Sequence, residues 1–262
     1  MSILNDFKQN GFLGEEIKVF IKDNTEYYKK HFLCCEELNR YSYTVIDNVN
    51  ILTSNTHGTV IMSLFIKILN AFQGAVILSK YGLDVEAQTV ARPALESLFI
   101  IAAIINKEEF YDEFINTADK EREKILSRIK KYPDIFSDYQ DIPELKDLEA
   151  LNRKNKEIKT SRKSDIATYA KMDVQYITAY NFFSSAIHPN PGNLRSRYWV
   201  DDGKQVKELR YAPYTKDINY TLRVLCAILI EALACLDDYF SLDLRDELER
   251  QAGQCIEVFK EQ

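Results

Sequence analysis

Two long apolar stretches with almost nothing between them constrain this chain more than any other feature. From Thr59 to Lys80 apolar residues recur at helical spacing, and a second helical run extends from Ala87 to about Asn106. The linking residues are Tyr81, Gly82 and Leu83. Gly82 suits the left-handed position after a helix end, and Asp84 is a good N-cap for the helix that follows. A connection this short makes the helices antiparallel neighbours. The expected fold is therefore all-α: a multi-helix bundle built on a helical hairpin over 59–106.

The remaining chain supplies partners for that hairpin. Its 262 residues, 46% of them hydrophobic, suit one large domain over 1–262. N-terminal helices are expected within 12–53, with a break near Asp23-Asn24. A charged amphipathic helix runs from Glu108 to Lys131 and stops before Pro133. Residues 132–164 read as a mobile basic connector. A helix over 173–188 follows, ending at Pro189. One small β-hairpin insertion is expected near 197–211, turning at Asp202-Gly203. C-terminal helices over 215–261 complete the chain, the first capped by Thr215.

Charge and cysteine usage narrow the chemistry. A net charge of −6 gives no global reason to bind nucleic acid, although a local basic patch can act within an acidic protein. The run Arg153-Lys154-Asn155-Lys156, continued by Lys159, Arg162 and Lys163, reads first as a solvated connector and second as a phosphate-contacting arm. The five cysteines form no C-x-x-C pair and no zinc-spaced cluster, so buried free thiols are expected. No E-x-x-H, G-x-S-x-G or Gly-rich phosphate loop occurs. No metal and no cofactor are therefore expected. The N-terminus lacks a signal peptide's basic start and apolar run. Lys67, Asn70 and Gln73 interrupt the apolar stretch Ile61–Leu78, and Glu231 interrupts Leu222–Leu236, so neither reads as a membrane span. The expected location is the cytoplasm.

One pair of helix faces concentrates the polar chemistry. Tyr180, Ser184 and His188 lie at i, i+4 and i+8, with His188 at the edge set by Pro189. Gln88, Arg92 and Glu96 share that spacing in an otherwise apolar helix, where Pro93 also removes a backbone donor. Polar groups on an apolar stripe need partners, so the two faces are expected to meet in one polar site. His188 is the group able to give or accept a proton near neutrality. His31 and His57 read as structural. Arg92 and Glu96 also have a plain reading as an i,i+4 pair in a buried network.

The run Tyr81-Gly-Leu-Asp-Val-Glu-Ala-Gln-Thr-Val-Ala-Arg-Pro-Ala-Leu-Glu, followed by Tyr180-x3-Ser184-x3-His188-Pro189, resembles a bacterial all-helical family catalogued as a domain of unknown function (number 5677). That family's pattern is a helical hairpin, an R-x3-E helix and a Y-x2-L-S-x3-H segment, with Phe183 here where Leu is frequent. The resemblance covers Thr59 to His188 and implies a site without naming a reaction. A more distant similarity is to HEPN helical bundles, many of them metal-independent ribonucleases of toxin–antitoxin and phage-defence systems. Their R-x4-6-H motif is not reproduced, because His188 precedes Arg195 and Arg92 is far away in sequence.

Two function classes follow. In the first, a ribonuclease-like effector, His188 shuttles a proton, Arg92 stabilises the phosphate and Glu96 orients Arg92, while Tyr180, Ser184 and Gln88 position substrate. In the second, a non-enzymatic module binds a small anion, nucleotide or partner protein through the same cluster. RNA or a nucleotide, a homodimeric second copy and a cognate regulatory protein are the expected partners, with no membrane.

Overall fold

The hairpin closes through a Schellman turn, whose geometry explains why glycine stands at position 82. In the computed structural model, which describes residues 7, 9–50, 55–146, 148–155, 160–188, 191–201 and 205–260, its first helix is α3 (Thr56–Lys80). The Leu83 N–H donates to the Leu78 carbonyl and the Gly82 N–H to Ser79, each at 3.0 Å. Gly82 has φ +70°, and a Cβ there would stand 2.7 Å from Pro213 Cβ and 2.8 Å from Phe20 Cε1. The return helix is α4 (Asp84–Asn106). The start of α3 lies three residues before Thr59 because Asn55 caps it, accepting from the Gly58 N–H at 2.8 Å.

Before the hairpin come α1 (Ile17–Tyr27) and α2 (Lys29–Asn48). Their break is at Tyr28 and not at Asp23-Asn24; residues 51–53 of the expected N-terminal helices lie outside the described residues. Asn24 stays helical because it has a tertiary task. Its buried amide donates at 3.0 Å to the carbonyls of Ser79, which also accepts from Gly82, and Lys80, at the end of α3. After the hairpin, α5 (Glu108–Lys131) has the expected bounds.

The segment expected to be a basic connector carries structure. Two 3-10 turns (Ser137–Tyr139 and Pro143–Leu145) lead into α6 (Leu148–Asn155), and α7 (Lys163–Tyr169) follows. Leu126 and Ile129 of α5 and Leu148 of α6 form a small core of their own, flanked by Phe136, Ile142 and Leu145. The spacing of those apolar residues is too irregular to show as one helical stripe. Lys156 and Lys159 of the basic run lie outside the described residues.

The site helix comes in pieces: α8 (Asp173–Gln175), a π-helical turn (Tyr176–Tyr180) and α9 (Asn181–Ile187). A helix expected as loop and hairpin, α10 (Pro191–Tyr198), follows, its proline at the first helical position. Strands β1 (Trp199–Asp201) and β2 (Val206–Leu209) then pair antiparallel, Trp199 opposite Leu209, with an irregularity after Val200. Their turn at Asp202-Gly203 lies outside the described residues. The chain ends with α11 (Ile218–Phe240), capped at Asp217 in place of Thr215, and α12 (Arg245–Lys260).

The main core lies where α3, α4 and α11 meet, with α2 and α12 against them. Phe65 and Ile68 of α3, Leu95 and Leu98 of α4, and Leu222, Leu229 and Leu236 of α11 are buried there. Each such side chain contributes about 1.5–3 kcal/mol. By length and composition alone α3, α4 and α11 could each cross a membrane. In this fold their apolar faces turn on one another, while Ser63, Lys67 and Asn70 of α3 and Arg223 and Glu231 of α11 are exposed.

Candidate functional site

The π turn packs two tyrosines on one face ahead of α9. Tyr176 and Tyr180 stack with ring centroids 4.9 Å apart, and both lie 6.4 Å from Phe99 of α4. A single π turn inside an α-helix often accompanies a functional face. The buried Tyr180 hydroxyl accepts from Arg92 Nη2 at 2.7 Å, and the guanidinium carbon lies 4.9 Å from the same ring. Arg92 Nε donates to Glu96 Oε1 at 3.1 Å, and Lys163 Nζ donates to Glu96 Oε2 at 2.8 Å. The side chains of Arg92 and Glu96 are 18% and 23% exposed, so the Glu96 carboxylate is shared by two cations in a partly dry setting. Lys163 completes this network from α7, a tertiary contact that its place in a basic run does not reveal.

Gln88 belongs elsewhere. It is fully buried and its Nε2 donates to Thr221 Oγ1 of α11 at 3.2 Å, while its Oε1 has no partner among the described residues. Thr221 in turn donates to Asp84 Oδ1 at 3.0 Å, and the Asp217 N–H donates to Asp84 Oδ2 at 3.1 Å. Asp84 therefore caps α11 and not its own helix, whose N-cap is Leu83. Burial, then repulsion from Asp217, raises the Asp84 pKa to about 6, against the hydrogen bonds from Thr221, Asp217 and Gln88.

Among the described residues no hydrogen bond, ion pair or ring contact joins Arg92 to His188. Tyr176 lies against Phe99 and Tyr180 against Arg92, so the site helix runs antiparallel to α4. His188 stands two turns past Tyr180, roughly 12 Å further along. It is exposed, with φ −93° and ψ 116°, the extended backbone that a following proline favours. Among the described residues its imidazole has no hydrogen bond and no ion pair, and the Ser184 hydroxyl has no hydrogen bond. The expected single site is thus resolved into a closed Arg92–Glu96–Tyr180–Lys163 network, a buried Asp84–Gln88–Thr221 network, and the open end of α9.

That open end faces a second group of polar residues. The Asn193 amide donates to the carbonyls of Ser185 and His188, holding α10 against the end of α9. Arg197 Nη2 lies 3.5 Å from Ser185 Oγ as donor, and Arg210 Nη1 donates to the Arg197 carbonyl at 2.8 Å. Arg197 is only 8% exposed, yet its Nη1 has no partner among the described residues. Beside it, Arg195, Trp199 and Arg210 line an open hollow of about 420 Å³. Sequence reasoning missed Arg197 and Arg210 because both fall where a surface hairpin was expected. The available signal was the clustering of arginines around the single tryptophan.

Residues 58–206 match a family described as "Family of unknown function (DUF5677)". The match spans more than half of the chain and contains Arg92, Glu96, Tyr180, Ser184, His188 and Arg197. No curated protein and no solved structure matches the chain. The hairpin, the R-x3-E turn and the Tyr180-to-His188 segment all fall inside the matched region, and this chain belongs to the DUF5677 family of unknown function.

Proposed function

We propose that the chain is a binding module for a phosphate-bearing ligand, a nucleotide or a single-stranded RNA, seated between α10 and the β-hairpin. The observation that carries this reading is the open hollow that brings Arg195, Arg210 and Trp199 together, beside buried Arg197, whose Nη1 has no partner among the described residues. The neighbouring hollow offers Arg195 and Arg210 for phosphate and the Trp199 ring for a stacked base. Arg92 is the weaker anion holder, since its charge is already paired with Glu96 and its Nη2 donates to Tyr180.

A second reading, RNA cleavage by an effector of the HEPN kind, has one observation in its favour. The exposed His188 imidazole stands on the same open end as Arg197, without a hydrogen bond among the described residues and so placed for proton transfer. Either function would be exercised in the cytoplasm, by a chain able to pair with a second copy or a regulatory protein.

Trp199 fluorescence tests the proposal, because it is the only tryptophan and it lines the hollow. Titration with AMP and with a short single-stranded RNA should give a saturable change, weakened about tenfold or more in Arg210→Ala, the loss expected for one charge-assisted contact. An unchanged signal with both probes rules the binding site out. RNA cleavage that is lost in His188→Ala would select the nuclease reading, while binding without cleavage selects the module.

A further inference from the structure

Three helices bring cysteines together outside the networks described above. Cys34 of α2, Cys226 of α11 and Cys255 of α12 place their sulfurs within 4.8 Å of one another, all buried and all free. Cys34 and Cys255 are the tightest pair, Sγ to Sγ 3.0 Å, and Cys35 lies 3.6 Å from Cys226. The three sulfurs all lie outside the region matched by the family. Cys255 alone of them also lines a hollow of about 290 Å³ between α11 and α12, whose other walls include Ala227, Ile230, Ile256 and the charged Arg223 and Lys260.

We propose that Cys255 is a site of oxidation by hydrogen peroxide and that Cys34 resolves it, forming a disulfide that joins α2 to α12. The first requirement is a thiolate. Hydrogen bonds from Cys226 and then Cys34 draw Cys255 well below the ordinary thiol range. For Cys34 the Cys226 hydrogen bond acts in the lowering direction, but Cys255 and burial outweigh it and push Cys34 up to about 12. The trio therefore shares its protons as one thiolate served by two thiols, and the thiolate is the member that reaches a cavity. Hydrogen peroxide is small and uncharged, suited to an opening this size. The other requirement is a resolving thiol within reach, and Cys34 supplies it at 3.0 Å.

The steps balance. The Cys255 thiolate attacks one peroxide oxygen, the O–O bond breaks, and the leaving hydroxide takes a proton to become water, leaving Cys255 sulfenic acid. The Cys34 sulfur then attacks the Cys255 sulfur, forming S–S as the S–O bond breaks; its thiol proton and the departing hydroxide leave as a second water. Sulfur is oxidised by two electrons in all, and peroxide is reduced by two. Closing the S–S bond needs the sulfurs to approach by about 1 Å, within side-chain adjustment.

The test uses the full chain, treated with stoichiometric hydrogen peroxide and unfolded for thiol counting. The count should fall from five to three, and peptide mapping without reductant should find Cys34 joined to Cys255. In Cys34→Ser, dimedone should instead label Cys255. A count that stays at five, a disulfide between other cysteines, or a tightly bound metal that must be removed before the thiols react would each overturn the proposal. The wild-type peptide map decides the matter even where the variant folds poorly.

Discussion

Asp84 shows how one residue can be read correctly as a capping group and assigned to the wrong helix. Asp84 is 1% exposed, and its carboxylate receives the N–H of Asp217, the N-cap of α11, together with the Thr221 hydroxyl. Burial still dominates, and the pKa rises from 3.8 to about 6. The folded state therefore holds this proton more tightly than the unfolded chain. The contribution to stability is fully present below pH 3.8 and is lost as pH rises through about 6. A rise of that size corresponds to a loss on the order of 3 kcal/mol. Asp84→Asn removes the charge, so the stability of wild type relative to this variant should decline between pH 4 and 7. Urea unfolding at each pH measures it, and parallel curves for the two proteins would refute the assignment.

Among elements, α1 serves as a clasp on the hairpin. Its Asn24 amide reaches two carbonyls at the end of α3, and its Phe20 ring closes over Gly82. Removing the amide leaves the Lys80 carbonyl without its donor, while the Ser79 carbonyl keeps the Gly82 N–H. Asn24→Ala should cost about 1–2 kcal/mol, as expected for one orphaned acceptor and one weakened bond. The measurement is the urea midpoint, and a cost under a few tenths of a kcal/mol would mean that water replaces the amide. The site helix is the other element with an unusual build. Its π turn brings Tyr176 and Tyr180 into one stack on Phe99, which directs the tyrosine hydroxyl at Arg92. The helix then continues past that network, and its length alone carries His188 out of reach.

At the scale of the molecule the described residues form two cores of unequal size. The large one ties α3, α4 and α11 to α2 and α12; the small one joins α5 to α6 through Leu126, Ile129 and Leu148. Few buried contacts support the small core, so it should open at lower free energy than the rest. Hydrogen exchange should show α6 exchanging well before α3 and α11. Leu148→Ala should hasten exchange in α6 and leave the main helices unchanged; simultaneous loss of protection throughout would show a single cooperative unit.

The local sequence determined the helices with continuous apolar stripes and the turn between the first long pair. Gly82, the stop before Pro133 and the bounds of α5 all follow from short-range backbone chemistry, which a sequence displays directly. The pairing of Tyr180 with Arg92 lay within reach, since spacing puts both on polar positions of apolar faces. Only the tertiary structure decided the rest. Whether Gln88 faces the site helix or α11, which helix Asp84 caps, and where Lys163 finds its carboxylate depend on how helices rotate and cross. Rotation about a helix axis is set by packing of the whole core, so residues sharing a face by spacing need not share a partner. The same reason hid the three-cysteine cluster: Cys34 and Cys255 stand 221 residues apart, and no local spacing betrays their meeting.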